Sequence, residues 1–272
     1  MVKICADEIR SVLPKRENNA SKFDCGRGIV ICGSTRYIGA PYFAAQAAVN
    51  SGCGLCYLSA PDEVVPILGA KLNEPIFLPR EEIENSCAKF DACLIGCGLS
   101  RESDAEKLSE EIILNSIVPT VVDADSLYFL SQNITLLKNA KGVRILTPHE
   151  GEFRRFVPEF DGDKRVEFAS NFAKQNKCIL VLKGAGTVVA DEDGNTFVNT
   201  TGNPGMAKGG SGDVLAGILV SLLSQGLKPI EAAKAGVYIH GLAGDMAQKE
   251  YGTLGMTPTD TLTYIKKALM DV

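Results

Sequence analysis

The sequence predicts an α/β protein in which a mostly parallel central sheet is covered by helices on both faces. Short apolar runs alternate with longer amphipathic segments from about residue 28 to the end of the 272-residue chain, as in a parallel sheet with helical crossovers. Most of the short runs are apolar throughout, as expected for strands buried on both faces. Polar and glycine-rich residues follow these runs, at the strand ends where open parallel sheets bind ligands.

The individual elements follow from apolar composition and periodicity. Strands are predicted at residues 28–32, 55–59, 92–96, 120–123, 144–147 and 179–183. Helices are predicted at residues 41–49, 104–114, 164–176, 214–225 and 229–249. The first 25 residues are polar and are expected to form a helix plus a loop. Turn residues at 184–186 and 191–195 predict an antiparallel hairpin of strands 187–190 and 196–199.

Composition predicts one domain spanning residues 1–272, because no Pro/Ser-rich linker, repeat or low-complexity tract interrupts the alternation. A formal net charge of −5 without a basic run argues against nucleic acid as a partner. The N-terminus carries charges where a signal peptide needs an apolar core, and no apolar run reaches the length of a bilayer span. The expectation is therefore a cytoplasmic protein with no membrane partner.

Cysteine usage supports a reducing compartment. The nine cysteines are an odd number, and most lie within apolar runs that resemble strands, which favours buried thiols over disulfides. Cys53 and Cys56 form a Cys-x-x-Cys pair, but no second pair at metal spacing follows. His149 and His240 are far away in sequence, so zinc binding and redox use are both disfavoured.

A glycine-rich segment, residues 199–213, precedes an apolar run that begins at Val214 and is predicted to be helical. Backbone N–H groups converge at such a helix N-terminus and bind anions. Asp213 lies where the helix begins, so its carboxylate could deprotonate a hydroxyl while the amides hold a transferring phosphoryl group. The structural alternative is an N-cap aspartate after a tight glycine turn.

Several motifs match one family in the same order along the chain. Residues 199–217 closely resemble the phosphate-binding and catalytic motif of the NAD(P)H-hydrate dehydratases, a ribokinase-like family. Residues 144–153 resemble its Leu-Thr-Pro-His-x-Gly-Glu-Phe motif, and residues 181–187 resemble its Leu-Lys-Gly-x-Gly-Thr motif. Weaker matches lie at residues 33–41, 95–99, 122–127 and 238–245. The resemblance extends from about residue 8 to the C-terminus and implies a ribokinase-like fold.

The resemblance implies an ADP- or ATP-dependent lyase that dehydrates (6S)-NADH hydrate and (6S)-NADPH hydrate, which restores NADH and NADPH. The 6-hydroxyl would be phosphorylated, with Mg²⁺ on the nucleotide phosphates, and phosphate would then leave with help from the ring nitrogen. The shared motifs leave ADP and ATP open as donors. A homo-oligomer is also implied. No epimerase domain is expected, because fewer than thirty residues precede the first matching strand, so a separate NAD(P)H-hydrate epimerase would be the functional partner.

The same resemblance assigns site residues. Asp213 would be the catalytic base, and the amides of Gly210, Ser211 and Gly212 would form the anion hole. The nucleotide would contact Lys183, Gly184, Ala185, Gly186, Thr187 and Gly212, and the hydrate would contact Ala40, Gly98, His149 and Asp213. No metal ligand is assigned. The structural alternatives are tight packing for Ala40 and Gly98, a helix-start turn for His149 and a solvated strand-end charge for Lys183.

Three positions depart from the family pattern, with Cys97 where Pro is usual, Ser100 where Gly is usual and Lys208 where Thr is commoner. Asp123 and Asp125 could orient magnesium or substrate, but capping of the helix near Ser126 is the favoured interpretation. His240 is expected to be a packed, hydrogen-bonded core histidine and is left out of the site.

Two rival functions remain. A ribokinase-like vitamin-precursor kinase would use the same aspartate and amides but would release a stable phosphoester. The motifs at residues 147–149 and 203–207 favour the dehydratase. A catalytically silent nucleotide-binding regulator is disfavoured by the intact Asp213 and its glycine-rich loop.

Overall fold

The computed structural model describes residues 2–272 and places ten strands of that range in one sheet. The strands are β1 (Val2–Lys3), β2 (Arg27–Ile31), β3 (Leu55–Ser59), β4 (Ile76–Phe77), β5 (Ala92–Ile95), β6 (Thr120–Val122), β7 (Arg144–Leu146), β8 (Ile179–Leu182), β9 (Val188–Ala190) and β10 (Thr196–Val198). Their order across the sheet is β1-β10-β9-β8-β7-β6-β5-β2-β3-β4. β9 is antiparallel to both neighbours, and the other neighbouring pairs are parallel.

The helices of this range differ widely in length. They are α1 (Ala6–Val12), α2 (Gly39–Asn50), α3 (Val65–Gly69), α4 (Ser103–Asn115), α5 (Ala124–Gln132), α6 (Glu150–Phe156), α7 (Arg165–Asn176), α8 (Ser211–Ser224), α9 (Pro229–Gly255) and α10 (Pro258–Asp271). α9 is broken near its end at Gly252, whose φ of 72° is not helical. No helix within residues 2–272 combines the length and apolarity needed to cross a bilayer.

Two apolar cores lie on opposite faces of the sheet. One contains buried residues of α1, α2, α8, α9 and α10 together with Val30 of β2. The other contains buried residues of α4 to α7 together with Ile29 and Ile31, the neighbours of Val30 on the same strand. Since successive side chains of a strand point to opposite faces, β2 contributes to both cores. Helices therefore cover both faces of a mostly parallel sheet, as predicted.

Helices α2 and α8 approach closely because small residues lie between them. A Cβ at Gly217 of α8 would lie 2.1 Å from the carbonyl oxygen of Ala44 and 2.8 Å from the Cβ of Ala47. α2 is lined by alanines on this side, and α8 is buried along nearly all its length. The close approach fixes the start of α8 beside the first turns of α2, at the carboxyl ends of the parallel strands.

The predicted strands agree with the structure to within about one residue at each end. The predicted hairpin is confirmed as the antiparallel pair β9 and β10. α8 begins at Ser211, three residues earlier than predicted, so Ser211, Gly212 and Asp213 belong to its first turn. The short strands β1 and β4 and the C-terminal helix α10 were not predicted.

Candidate active site

The loops that follow the central parallel strands contact one another at one edge of the sheet. The amide of Gly33, after β2, donates to the carbonyl of Cys97, after β5, at 2.9 Å. His149 and Lys183, after β7 and β8, form a parallel bridge. These are the strand-end segments in which the sequence places the site, and the structure brings them together.

The first turn of α8 presents backbone amides at this edge. Gly210 precedes the helix with a φ of 102°, and a Cβ there would lie 2.7 Å from the ring of Phe43 on α2. The amide of Ser211 donates to the carbonyl of Lys208 at 3.2 Å. The amides of Gly210 and Gly212, by contrast, donate to no carbonyl oxygen within residues 2–272. Gly210 and Gly212 are therefore the predicted anion-hole residues whose N–H groups remain free for a ligand.

Asp213 has a pKa matched to proton transfer near neutral pH. Burial raises the pKa of its carboxyl group to about 7, and the negative charge of Asp123 acts in the same direction. A hydrogen bond from Cys97 and the charge of Lys183 act against this increase. A carboxylate with a pKa near 7 at the free amides of a helix start has the properties of a general base.

Asp123 and Lys183 form a buried ion pair beside Asp213. The Nζ of Lys183 donates to Oδ1 of Asp123 at 2.8 Å, and the hydroxyl of Thr147 donates to the same oxygen at 2.8 Å. Burial alone would raise the pKa of Asp123, but Lys183 and Thr147 together hold it below its ordinary value. The pair therefore stays charged.

The capping role predicted for Asp123 is wrong. Asp123 occupies the N-cap position of α5, but its side chain makes no capping hydrogen bond. The ion pair with Lys183 uses the carboxylate instead. Asp125 accepts a hydrogen bond from the amide of Ser100 at 2.9 Å.

Cys97 places a thiol next to both carboxylates. Its Sγ lies 3.6 Å from Oδ2 of Asp123, and its side chain is fully buried. The pKa of the Cys97 thiol is well above its ordinary value. A hydrogen bond with Cys32 is the largest cause of this increase, and burial is the next largest. Cys97 therefore remains protonated and acts as a hydrogen-bond donor. Ligand atoms of Cys97, Asp123 and Asp213 all lie within 4.8 Å of one another.

Ala40 and Gly98, both predicted to contact the hydrate, are adjacent in the structure. A Cβ at Gly98 would lie 2.9 Å from the Cβ of Ala40 and 2.6 Å from the Cβ of Tyr37. Gly98 also has a φ of 65°, a conformation that favours glycine. Since Gly98 follows Cys97 directly, this wall of small residues lies beside the carboxylate cluster. Tyr37 is half exposed at the same place.

His149 is the N-cap of α6. Its Nδ1 accepts from the amide of Glu152 at 3.2 Å, and its own amide donates to Oε2 of Glu152 at 2.9 Å. This is a complete capping box. The alternative interpretation, in which His149 belongs to a helix-start turn, is thus correct for Nδ1, which caps α6. More than half of the side chain nevertheless remains exposed. Contact of the ring with substrate stays a prediction.

The turn from Lys183 to Thr187 joins β8 to β9. Gly186 has a φ of 64°, and the hydroxyl of Thr187 donates to the carbonyl of Gly184 at 3.1 Å. The turn faces the first turn of α8, because a Cβ at Gly212 would lie 3.2 Å from the Nζ of Lys183. The structure therefore brings the predicted nucleotide residues Lys183 and Gly212 together with Asp213.

His240 lies closer to this cluster than the sequence indicates. Its Nε2 is buried and has no hydrogen-bond partner within residues 2–272, whereas a hydrogen bond between the ring and the backbone of Ser211 acts on the pKa of His240. Burial lowers the pKa of His240 to about 4, and the charge of Lys183 adds to the decrease. His240 is therefore a neutral ring near Lys183 and the backbone of Ser211.

Two departures from the family pattern have structural explanations. Ser100 has a φ of 74°, which explains why glycine is usual at this position. The Nζ of Lys208 donates to the carbonyl of Leu254 at 2.8 Å and to that of Met256. Lys208 thus connects the glycine-rich loop to the C-terminal end of α9.

Comparison with known proteins identifies the family. A family model described as NAD(P)H-hydrate dehydratase matches residues 29–267, which include the whole cluster described above. The chain belongs to the NAD(P)H-hydrate dehydratase family. The motifs that carried the resemblance are the segments that converge on Asp213.

Curated relatives support the same assignment. The chain is 38% identical over 97% of its length to the bifunctional NAD(P)H-hydrate repair enzyme Nnr of Moorella thermoacetica, of which it covers 53%. It is 33% identical over 90% of its length to the ADP-dependent (S)-NAD(P)H-hydrate dehydratase of Cenarchaeum symbiosum, of which it covers 89%. The chain thus spans about half the length of the bifunctional relatives.

Solved structures confirm the ribokinase-like fold. The ADP/ATP-dependent NAD(P)H-hydrate dehydratase of Bacillus subtilis, co-crystallized with ATP/Mg²⁺, superposes with a TM-score of 0.88 at 27% identity over 99% of this chain and 98% of that one. A ribokinase-like superfamily protein of Enterococcus faecalis superposes with a TM-score of 0.87 at 27% identity over 99% and 95% of the two chains.

Proposed function

We propose that the chain dehydrates (6S)-NADH hydrate and (6S)-NADPH hydrate to NADH and NADPH, with ADP or ATP as the phosphoryl donor. The observation that carries this proposal is the carboxylate of Asp213, with a pKa of about 7, at the free amides of the α8 N-terminus. The family membership and the ADP-dependent relative support the choice of reaction. The proposed role of the protein is repair of nicotinamide nucleotides.

The proposed reaction has two stages. In the first stage, the oxygen of the 6-hydroxyl attacks the terminal phosphorus of the nucleotide while Asp213 takes the hydroxyl proton. One phosphoryl group is thereby transferred from the nucleotide to the hydroxyl oxygen. The lone pair of the ring nitrogen then expels phosphate from carbon 6, and loss of a proton from carbon 5 restores the dihydropyridine. Phosphorylation is needed because hydroxide is a poor leaving group.

The amides of Gly210 and Gly212 would hold the transferring phosphoryl group. Preorganised N–H donors aimed at developing negative charge contribute about 10²- to 10³-fold each in acyl-transfer enzymes. Lys183 already pairs with Asp123 at 2.8 Å. The carboxylate of Asp123 therefore offsets much of the positive charge that Lys183 would otherwise present to the nucleotide. The nucleotide would lie along residues 183–187, and the hydrate along Ala40, Gly98 and the exposed part of His149.

Magnesium would enter with the nucleotide. Mg²⁺ prefers oxygen ligands and keeps several waters, with substrate phosphates completing its shell. The cluster of Cys97, Asp123 and Asp213 fits this arrangement only partly, because one member is a thiol and Oδ1 of Asp123 already accepts two hydrogen bonds. The ion would therefore be held mostly by phosphate and water near Oδ2 of Asp123, where it would neutralise phosphate charge.

The proposal also covers the domain composition, the partner, the oligomeric state and the compartment of the protein. We propose that residues 1–272 act as one dehydratase domain that functions with an NAD(P)H-hydrate epimerase, and the bifunctional relatives support such a pairing. We also propose a homo-oligomer, as the family resemblance implies, and sedimentation would test it. The nine free cysteines support a reducing compartment such as the cytoplasm.

The decisive experiment offers the purified protein NADH hydrate, magnesium and either ADP or ATP. Absorbance of the dihydronicotinamide, inorganic phosphate and remaining nucleotide are measured together. We expect one NADH and one phosphate per nucleotide consumed, because the phosphorylated carbon lies beside a nitrogen that expels phosphate. A protein that leaves NADH hydrate untouched, but forms a stable phosphoester when a hydroxymethylpyrimidine or a hydroxyethylthiazole is offered instead, would be a vitamin-precursor kinase and would overturn the proposal.

A further inference from the structure

The guanidinium of Arg165, the first residue of α7, packs against the turn that joins β8 to β9. Its Nη1 donates to the carbonyl of Ala185 at 2.7 Å, and its Nη2 lies 3.2 Å from the carbonyl of Leu182 and 3.3 Å from that of Lys183. The side chain is only 17% exposed. One planar group thus binds the carbonyl oxygen of the last residue of β8 and two carbonyl oxygens of the turn that follows it.

These contacts determine where the turn directs its amides. In a trans peptide the C=O of one residue and the N–H of the next point in opposite directions. Because the carbonyls of Lys183 and Ala185 point at the guanidinium, the amides of Gly184 and Gly186 point away from it. Neither amide has an acceptor within residues 2–272, whereas the amide of Lys183 donates to Pro148 at 2.8 Å. Two free N–H groups therefore face the opposite side of the turn, an arrangement that binds anions.

The glycine at position 184 and the arginine fit each other sterically. A Cβ at Gly184 would lie 2.7 Å from Nη2 and 3.1 Å from Nη1 of Arg165. Glu150 provides a nearby opposite charge, with its Oε1 3.8 Å from Nη1. Lysine could not reproduce this arrangement, because its single ammonium lacks the planar fork that reaches carbonyls on both sides of the turn.

We propose that Arg165 is a positioning residue that holds the turn of residues 183–187 in the conformation that binds the phosphate groups of a nucleoside di- or triphosphate. Arg165 itself does not touch the nucleotide. This inference rests on the proposed function, which places the nucleotide at the same turn. Its consequence is that loss of the guanidinium impairs nucleotide binding while the chemistry at Asp213 continues.

The test compares Arg165→Met and Arg165→Lys with a matched control. Arg154→Met removes another arginine near Glu150, 3.9 Å from Oε2 of that residue, without touching the turn. Calorimetry with Mg-ADP and Mg-ATP should show Kd raised at least tenfold in Arg165→Met, less in Arg165→Lys and not in the control. At saturating nucleotide kcat should stay within about threefold of wild type, and KM for NADH hydrate should not change.

The outcomes separate this inference from the function on which it rests. Unchanged Kd in a folded Arg165→Met protein, or a fall in kcat without a change in Kd, overturns the positioning role. Should Arg165→Met fail to fold, the folded Arg165→Lys variant decides in the same way. A wild-type protein that binds neither nucleotide overturns the proposed function instead.

Discussion

Two opposing influences act on the carboxyl group of Asp213, and their balance decides at which pH the site works. Burial and the charge of Asp123 favour the protonated acid, while the Cys97 thiol and Lys183 favour the carboxylate. The resulting pKa of about 7 means that the base is about half ionised at neutral pH. Single substitutions that alter either side should therefore shift the pH dependence of turnover.

Asp213→Asn removes the base while it preserves side-chain size. We expect kcat to fall by about 10² or more with nucleotide binding no weaker than in wild type, because general-base catalysis is lost while the amides remain and the negative charge is removed. In the wild type, kcat/KM should rise with pH through about 7, as Asp213 loses its proton. Near-normal turnover of a folded Asp213→Asn protein would exclude Asp213 as the base.

The same substitution should stabilise the fold at alkaline pH. The pKa of Asp213 is higher in the folded protein than its ordinary value of 3.8. The stabilising contribution of this group is therefore complete below that value and is lost as pH rises through about 7. At pH 8 the Asn variant should be more stable by about 1–3 kcal/mol, and the difference in Tm should disappear towards pH 4. A constant difference across pH would contradict the shift.

Cys97→Ala removes a thiol whose hydrogen bond with Asp213 is one of the influences on that carboxyl group. Because that hydrogen bond lowers the pKa of Asp213, its loss should move the rise of kcat/KM to higher pH, with the alkaline plateau within about threefold of wild type. Cys178→Ala is the control, since Cys178 is also free and buried but precedes β8 at the opposite end of the strand. Identical pH profiles of Cys97→Ala and wild type would show that the thiol does not influence the base.

At the scale of elements, the close contact between α2 and α8 positions the catalytic turn. Gly217→Ala should destabilise the protein by about 1–3 kcal/mol, because the new methyl group meets the Ala44 carbonyl and forces the helices apart. Gly255→Ala is a matched substitution in α9, where the nearest atom would lie 3.9 Å from the new Cβ. Denaturant unfolding should show a loss for Gly217→Ala alone, and equal stability of both variants would contradict this role of the contact.

The elements differ in how well the sequence predicts them. The sequence predicts β3 at its observed bounds because the apolar run Leu55–Leu58 follows Gly54 and is succeeded by Ser59 and Pro61. α10 was missed although Thr257 and Asp260 form a capping box, with buried Leu262 and Ile265 at helical spacing. β1 and β4 have two residues each, which is too short for any periodicity.

The sequence likewise predicts some contacts of the candidate active site and not others. Strand ends and glycine motifs predicted that Lys183, Gly212 and Asp213 would meet, because the carboxyl ends of parallel strands share one edge. The Asp123–Lys183 pair was not predicted, since it depends on the order of β6, β7 and β8 in the sheet. The contacts of Arg165 depend on where α7 packs, and no local pattern encodes that position.

At the scale of the whole molecule, the N-terminal segment supplies the outermost strand at one edge of the sheet. β1 pairs with β10. Ile4, which follows β1, and Ile9 of α1 are fully buried. Deleting residues 2–12 should lower Tm and cause aggregation, because it exposes both an apolar surface and the unpaired edge of β10. Val2→Lys, at a half-exposed position, should have no such effect in light scattering. A monodisperse truncated protein with an unchanged Tm would contradict this role.

The buried charges also couple ligand binding to protons in solution. Asp123 and Lys183 neutralise each other, so Asp213 is the ionisable group of the cluster that can respond to an arriving polyanion. Nucleotide phosphates placed at the start of α8 should raise the pKa of Asp213 further. Binding at pH 7 to 8 should then take up protons, and the measured heat should vary with the ionisation enthalpy of the buffer. In Asp213→Asn the heat should be the same in every buffer.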